Sequence, residues 1–226
     1  MNKKISSAHR IAFVLLVLVT LGCGASTQAV ATEPIESVAT EVVATDAPAE
    51  APASLPDMSI ARIFRQQLPG GFEEIPTDDF FEEATASVEE EYLPEVVFAY
   101  INRDEFQVIL GMNYLLVDGF TRLGFNAALN DPDSLKELAG AMGGENIREE
   151  ETLKNLDTLG EKRSAITMLA DVEGIPMRVN AAMFQRGIIG GMIISMTMEG
   201  EASKISFEEL TKRFDQRVQE SLESAE

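Results

Sequence analysis

The sequence is short of the side chains that most often perform catalysis. Its 226 residues include no tryptophan, three tyrosines, one cysteine and one histidine. The histidine, His9, precedes an apolar run near the N-terminus, so a chain cleaved after that run would contain none. Histidine is the usual base for serine and cysteine nucleophiles and a common ligand of zinc and copper. We therefore predict no catalytic residue, no bound metal and no cofactor.

Cysteine and positive charge are equally scarce. Cys23 is the only cysteine, which excludes a disulfide within one molecule even in an oxidising compartment. The formal net charge is −20. Nucleic-acid binding requires clustered lysine and arginine, so we predict no nucleic-acid partner. The same acidity opposes electrostatic docking on anionic lipid, and its simplest effect is solubility at an exposed surface.

The first 23 residues have the layout of a secretory signal. Basic residues precede an apolar run, Ile11 to Leu21, that is too short for a lasting membrane span. Gly22 and Cys23 follow it, and this end of the segment resembles the lipobox of bacterial lipoproteins. The resemblance implies cleavage before Cys23 and attachment of lipid to its thiol. We therefore predict an extracytoplasmic protein that is held on the cell membrane by this lipid.

Two other outcomes for the N-terminal segment stay open. Ala29-Val30-Ala31 is a small-x-small site, and cleavage after Ala31 would release a free secreted protein. An uncleaved segment would instead act as the anchor. The sequence alone does not choose between cleavage before Cys23 and cleavage after Ala31.

A change in composition divides the rest of the chain. Residues 24–57 contain no aromatic and no basic residue, but repeated Val-Ala-Thr segments and several prolines. Such a segment buries too little apolar surface to fold, so we predict a disordered linker that spaces a domain from the membrane. Residues 58–226 carry the apolar residues of a core and are predicted to form one domain.

The clearest structural pattern is a β-meander in the C-terminal half. Three apolar runs, Ser164–Val172, Ile175–Gln185 and Ile188–Met198, are separated by Glu173-Gly174 and Arg186-Gly187. Short glycine-containing turns between apolar runs are typical of antiparallel hairpins. Ser206 to Leu222 then has the apolar spacing of a helix, with capping-box spacing between Ser206 and Glu209.

The N-terminal half of the predicted domain is less regular. We predict strands at Glu95–Ile101, Phe106–Met112 and Asn155–Leu159, helices at Phe120–Leu129 and Ser134–Met142, and a short helix or strand at Ala61–Leu68. Grouped strands with helices to cover them predict the α+β class, with an antiparallel β-sheet covered by helices.

The order of strands and turns resembles a known family. The stretch Leu156–Glu161, the meander with Gly174–Arg178 and Phe184–Gly187, and the acidic C-terminal helix look like the PsbP-like α/β/α sandwich. They are similar in particular to uncharacterised bacterial lipoproteins with that domain. The resemblance implies a small binding or accessory protein without catalytic activity.

Candidate ligand-facing residues lie on the last predicted strand. Met192, Ile194 and Met196 share one face of it, where they would line any cavity between the sheet and a helix. Methionine-rich surfaces adapt to apolar ligands, although ordinary core packing uses the same residues. The partner is therefore predicted to be the membrane through Cys23, together with an unknown protein or small apolar ligand.

Two alternative functions remain at this stage. Carboxylate clusters such as Asp131/Asp133 and Glu149–Glu151 are consistent with a carboxylate-based extracellular hydrolase. Their simpler interpretations are a turn that starts a helix and a solvated face. Alternatively, a structural envelope protein would self-assemble through an exposed edge of the meander.

Overall fold

The computed structural model describes residues 54–77, 93–131, 133–135, 147–156, 158–172 and 174–225. The predicted signal peptide, Cys23 and Ala31 lie outside these ranges, as does the predicted linker up to residue 53. The predicted helix Ser134–Met142 is also outside them beyond Leu135.

Within the described ranges, seven strands form one antiparallel sheet. Its spatial order is β1-β2-β3-β7-β6-β5-β4, so the last three strands of the chain form the centre with β3. The predicted α+β class with an antiparallel sheet is confirmed. The strands are β1 (Phe72–Glu74), β2 (Val96–Asn102), β3 (Gln107–Leu115), β4 (Ile147–Thr152), β5 (Lys162–Val172), β6 (Ile175–Arg186) and β7 (Ile189–Met198).

The predicted meander is confirmed as β5, β6 and β7. Strand β6 pairs with β5 on one side and with β7 on the other, both antiparallel. Gly174 and Gly187 have φ values of +83° and +56° in the two connecting turns. A residue with a side chain would be strained in this left-handed conformation, which explains why glycine follows Glu173 and Arg186.

In the part of the chain that the structure describes, a long helix packs on each face of the sheet. Helix α1 (Gly119–Asn130) buries Phe125 and Leu129, and helix α2 (Phe207–Glu223) buries Leu210, Phe214 and Val218. Each helix begins at a side-chain cap, because Asp118 accepts from the backbone N–H of Thr121 and Ser206 from that of Glu209. The prediction of helices at 120–129 and 206–222 is therefore confirmed.

Three sequence predictions need correction. Of residues 61–68, predicted to be a short helix or strand, only Arg65–Gln67 form a short 3₁₀ helix, and the others are irregular. Residues 155–159 form a loop in the part that the structure describes, and its buried leucines pack towards α2. The acidic stretch 147–152, which was not predicted to be a strand, forms β4.

Two hydrophobic cores lie on opposite faces of the sheet. The core beneath α1 contains Met192 and Ile194, whereas the core beneath α2 contains the intervening Ile193. Strand alternation accounts for this division, since successive side chains point to opposite faces. Within the described ranges, no helix combines the length and apolar character needed to span a bilayer.

Candidate functional site

A cavity of about 200 Å³ lies between α2 and the loop that follows β4. We call it the loop–helix cavity. Leu156 and Leu159 supply its apolar part, and the remaining lining is polar or charged. Those side chains are Asn155, Thr158, Glu208, Thr211, Lys212, Asp215, Gln216 and Gln219.

The loop that forms one wall is fixed to the sheet. The backbone N–H of Leu159 donates to the carbonyl of Leu156 at 2.9 Å, and that of Glu161 donates to the carbonyl of Gln185 at 2.8 Å. The Glu161 carboxylate also accepts from the backbone N–H of Gly187 at 3.2 Å. Burial of both leucines and these backbone bonds give the cavity a defined wall.

Asp215 is held in a two-point ion pair at the edge of the cavity. Its two carboxylate oxygens accept from Nε and Nη2 of Arg186 at 2.7 and 2.5 Å. The hydrogen bond to Asp215 raises the pKa of Arg186 above its ordinary value. A carboxylate engaged in this way ties α2 to the end of β6, and both oxygens are already occupied by a cation.

A second ion pair, nearer the start of α2, neutralises the charges of Lys212 and Glu208. Lys212 Nζ lies 2.7 Å from a Glu208 oxygen, one helical turn away, and the Thr211 hydroxyl donates to the Glu208 carbonyl at 2.9 Å. Two amides of the lining, those of Gln216 and Gln219, donate along α2 to Glu220 and Glu223 at 3.0 and 2.9 Å. Among the described residues, the lining amide without a partner is that of Asn155. The arrangement suits a small uncharged polar molecule held by hydrogen bonds.

The ligand-facing residues predicted from the sequence lie on the other side of the sheet. Met192 is 5% exposed and Ile194 is 1% exposed, and both belong to the core beneath α1 with Met196 partly buried against it. Across the sheet, Met192 pairs with Met112 on β3 and with Met183 on β6. A ligand-facing role for these residues stays a prediction, and Cys23 is outside the described residues.

The carboxylate clusters occupy turns and an edge. The Asp131 carboxylate accepts from the Asp133 backbone N–H and from the Ser134 hydroxyl, both at 3.1 Å, as in a turn that begins a helix. The bulge in β4 places Arg148 beside Asp171 and Glu199, at 3.0 and 3.3 Å. Within the described ranges, no three histidine, cysteine or acidic side chains are grouped to hold a metal ion.

An exposed aromatic residue that was not predicted from the sequence lies in the β2–β3 hairpin. We call residues 103–106 the hairpin tip; Phe106 lies at its end, with 57% of the residue exposed and φ at +48°. The Asn102 side chain accepts from the backbone N–H groups of Asp104 and Glu105, both at 3.1 Å, which shapes the turn. The pattern Asn-Arg-Asp-Glu signals a turn but not the left-handed residue that follows it.

The two ends of α2 mark opposite ends of the domain. At its C-terminal end, the Ser54 hydroxyl donates to the Ala225 carbonyl at 2.8 Å, so the N-terminal segment arrives there. At its N-terminal end, the Gln107 side chain donates to the Ile205 carbonyl at 3.0 Å. A helix of 17 residues is about 25 Å long, which separates Ser54 from the hairpin tip beside Gln107.

No protein-family model matches this chain, and no curated protein matches it.

Proposed function

We propose that the chain is a lipid-anchored, extracytoplasmic binding or accessory protein without catalytic activity, and that its domain is a PsbP-like α/β/α sandwich. The lipobox-like end of the signal at Cys23 and the acidic, proline-containing linker that follows it support this location. The antiparallel sheet with a helix on each face supports the domain type.

The observation that carries the proposal is where the linker joins the domain. Ser54 and Asp57 bond to the last residues of α2, and the backbone N–H of Asp57 donates to the Ser224 hydroxyl at 3.0 Å. A tether attached there leaves the loop–helix cavity and the hairpin tip free of it. A flexible linker of the predicted length spans roughly 30–35 Å, enough to hold the domain clear of a lipid surface.

Charge favours a binding role over self-assembly through the sheet edge. Strand β4 forms one edge of the described sheet and carries Glu149, Glu150 and Glu151 in sequence. Edge-to-edge pairing of two copies would bring two such acidic stretches of sequence together, which opposes assembly. The other edge, β1, is three residues long and offers little backbone to a second copy.

The anchoring step is tested with the full chain in its own cells. Wild type, Cys23→Ser and the neighbouring control Ser26→Ala are labelled with radioactive palmitate and separated into membrane and soluble fractions. We expect label and membrane retention for wild type and Ser26→Ala, and loss of both for Cys23→Ser. Label-free wild-type protein that begins at residue 32 would instead establish the secreted alternative.

The binding step is tested by native mass spectrometry of wild-type protein extracted from its own membrane with mild detergent. An additional small mass that survives desalting, or a bound second protein, supports a binding role. A bare monomer together with turnover of ester or glycoside substrates would overturn it in favour of a hydrolase.

A further inference from the structure

Phe106 occupies a backbone conformation that does not suit it. A φ of +48° is unusual for any residue with a side chain, and Phe106 is the only residue other than glycine with positive φ among those that the structure describes. Glycine or asparagine would occupy this position with less strain. Strained residues persist where the surrounding structure holds them and where they serve a function.

The fold buries little of the aromatic ring of Phe106. The residue is 57% exposed, and it belongs to neither hydrophobic core. The adjacent Gln107, by contrast, is fully buried, and its side chain bonds to Ser195 of β7 and to Ile205, just before the start of α2. The backbone on one side is therefore fixed, and the strained position presents an aromatic side chain to solvent.

A second exposed apolar side chain lies at the same end of the sheet. Ile175, the first residue of β6, is 46% exposed. Strand β7 lies between β3 and β6, and the register places Phe106 level with Met177, two residues along β6 from Ile175. The backbones of Phe106 and Ile175 are therefore roughly 12 Å apart. Both side chains fit within one protein–protein contact.

Carboxylates outnumber basic side chains around these two residues, even with the exposed Arg178 of β6 included. Lys204 and Arg103 are already paired, with Glu105 at 2.7 Å and Glu73 at 3.0 Å. Asp104 remains exposed at the tip. Arg148 is shared by two carboxylates, those of Asp171 and Glu199, so that group carries excess negative charge. A complementary surface would present lysine or arginine around an apolar pocket.

We propose that Phe106 is the anchor residue of a docking surface, with Ile175 as a secondary contact, for a partner protein that has an apolar pocket rimmed by basic residues. The proposal takes its orientation from the proposed function, because the tether joins about 25 Å away at the other end of α2. The tip therefore lies at the end of α2 opposite to the tether, and its acidity is unsuited to anionic lipid. A partner protein is the occupant that fits both facts.

Site-specific photocrosslinking tests the contact in the protein's own cells. The full chain carries p-benzoylphenylalanine at position 106, or at position 123 as a control, since Leu123 is 74% exposed on α1. We expect a discrete protein adduct from position 106 and none from position 123. No adduct at 106, the same adduct at both positions, or an adduct with phospholipid would overturn the proposal.

Affinity measurements with the partner protein, identified from the adduct and then purified without a crosslink, test the role of the ring. We expect Phe106→Gly to weaken binding by about 30-fold or more, as expected for an anchor residue, and Leu123→Ala to leave it unchanged. Ile175→Ala should have a smaller effect, and Asp104→Lys should weaken binding most at low salt. Binding of Phe106→Gly within twofold of wild type would overturn the proposal.

Thermal unfolding separates a docking role from a structural one. Because glycine relieves the strain at position 106, Phe106→Gly should unfold at the same temperature as wild type or higher. A marked fall in its unfolding temperature would assign the ring to the fold instead. If the position-106 adduct is absent while Cys23 is lipidated, docking is rejected and anchoring stands. If the adduct forms on a chain that is not lipidated, anchoring is rejected and docking stands.

Discussion

The ring of Phe184 lies directly over the backbone of Gly191, its partner across β6 and β7. A Cβ added at position 191 would be 2.6 Å from the nearest atoms of that ring. The ring cannot simply move away, because Phe214 of α2 meets it edge-on with 5.5 Å between ring centroids. This glycine therefore sets how closely α2 approaches the sheet.

We expect Gly191→Ala to destabilise the protein by about 1–3 kcal/mol through overpacking against Phe184. The free energy of unfolding in urea measures the effect. Gly70→Ala is the matched control, since an added Cβ at position 70 has no neighbour within 4 Å. Equal stability of the two variants would show that the ring has room that the structure does not give it.

Arg217 fastens the N-terminal segment to α2. Its Nε donates to the carbonyls of Ile60 and Arg62 at 3.0 and 3.3 Å, and its guanidinium lies 4.9 Å from the centroid of the Phe64 ring. We expect Arg217→Ala to lose about 1–3 kcal/mol of stability and to accelerate amide hydrogen exchange in residues 58–68. Urea unfolding and hydrogen exchange by mass spectrometry measure these changes.

Arg103→Ala is the comparison variant for Arg217→Ala, because Arg103 forms an exposed ion pair. The side chains of Arg103 and Glu73 are 72% and 63% exposed, so their pair should contribute less than about 1 kcal/mol. Unchanged exchange at residues 58–68 in Arg217→Ala would contradict the fastening role.

Tyr114 should make the protein sensitive to alkali. Burial raises the pKa of its hydroxyl above the ordinary value. In the unfolded chain tyrosine ionises near pH 10, so above about pH 10 the unfolded state holds fewer protons than the folded state and stability falls. Tyr114→Phe should match wild type at neutral pH and lose stability less steeply above about pH 10.

Urea unfolding between neutral pH and pH 11 tests this difference. Tyr100→Phe is a useful contrast, because it removes the 2.6 Å hydrogen bond to the Ile63 carbonyl and should already be less stable than wild type at neutral pH. Parallel stability profiles for wild type and Tyr114→Phe would exclude Tyr114 as a source of the alkaline loss.

Asp118 should make the stability of the protein sensitive to acid, whereas Tyr114 makes it sensitive to alkali. Hydrogen bonds from Thr121, and then from the backbone of Phe120, lower the pKa of its carboxyl group. Its stabilisation of α1 is present above the unfolded pKa, near 3.9, and is lost as pH falls through the lower folded value. Asp118→Ala should therefore be less stable than wild type at pH 7, with the difference shrinking towards pH 2.

Thermal unfolding across this pH range measures the change. Asp118→Asn keeps a capping oxygen without the charge, so it should fall between the other two proteins at pH 7. A constant difference between wild type and Asp118→Ala at all pH values would show that the charge of the cap has no part.

The centre of the sheet was predictable because its signals are local. In β7, apolar Ile194 alternates with Ser195, and glycines mark the turns that need positive φ. The glycines inside β7 carry less local information. Gly190 accommodates Phe125 from α1 and Gly191 accommodates Phe184, and neither partner can be identified from the glycine itself.

The edges and sites depend on partners far away in the chain. Glutamate has a low strand preference, so the run Glu149–Glu151 gave no sign of β4, whose backbone pairs with β5. The loop–helix cavity joins residues such as Leu156 and Asp215 that only the tertiary fold brings together. Residues 61–68 are irregular because separate side chains hold them, including Asn113 at the Ala61 carbonyl and Tyr100 at that of Ile63.

The attachment of Ser54 and Asp57 to the end of α2 determines how the domain would respond to mechanical force. A pull on the N-terminal side is carried first by the Ser54–Ala225 and Asp57–Ser224 hydrogen bonds, and by the Ser221 hydroxyl at the Asp57 carbonyl. The strands of the sheet are not in this initial load path. The N-terminal segment would peel away before the β-sheet bears tension, and so would act as an extensible section ahead of the folded core.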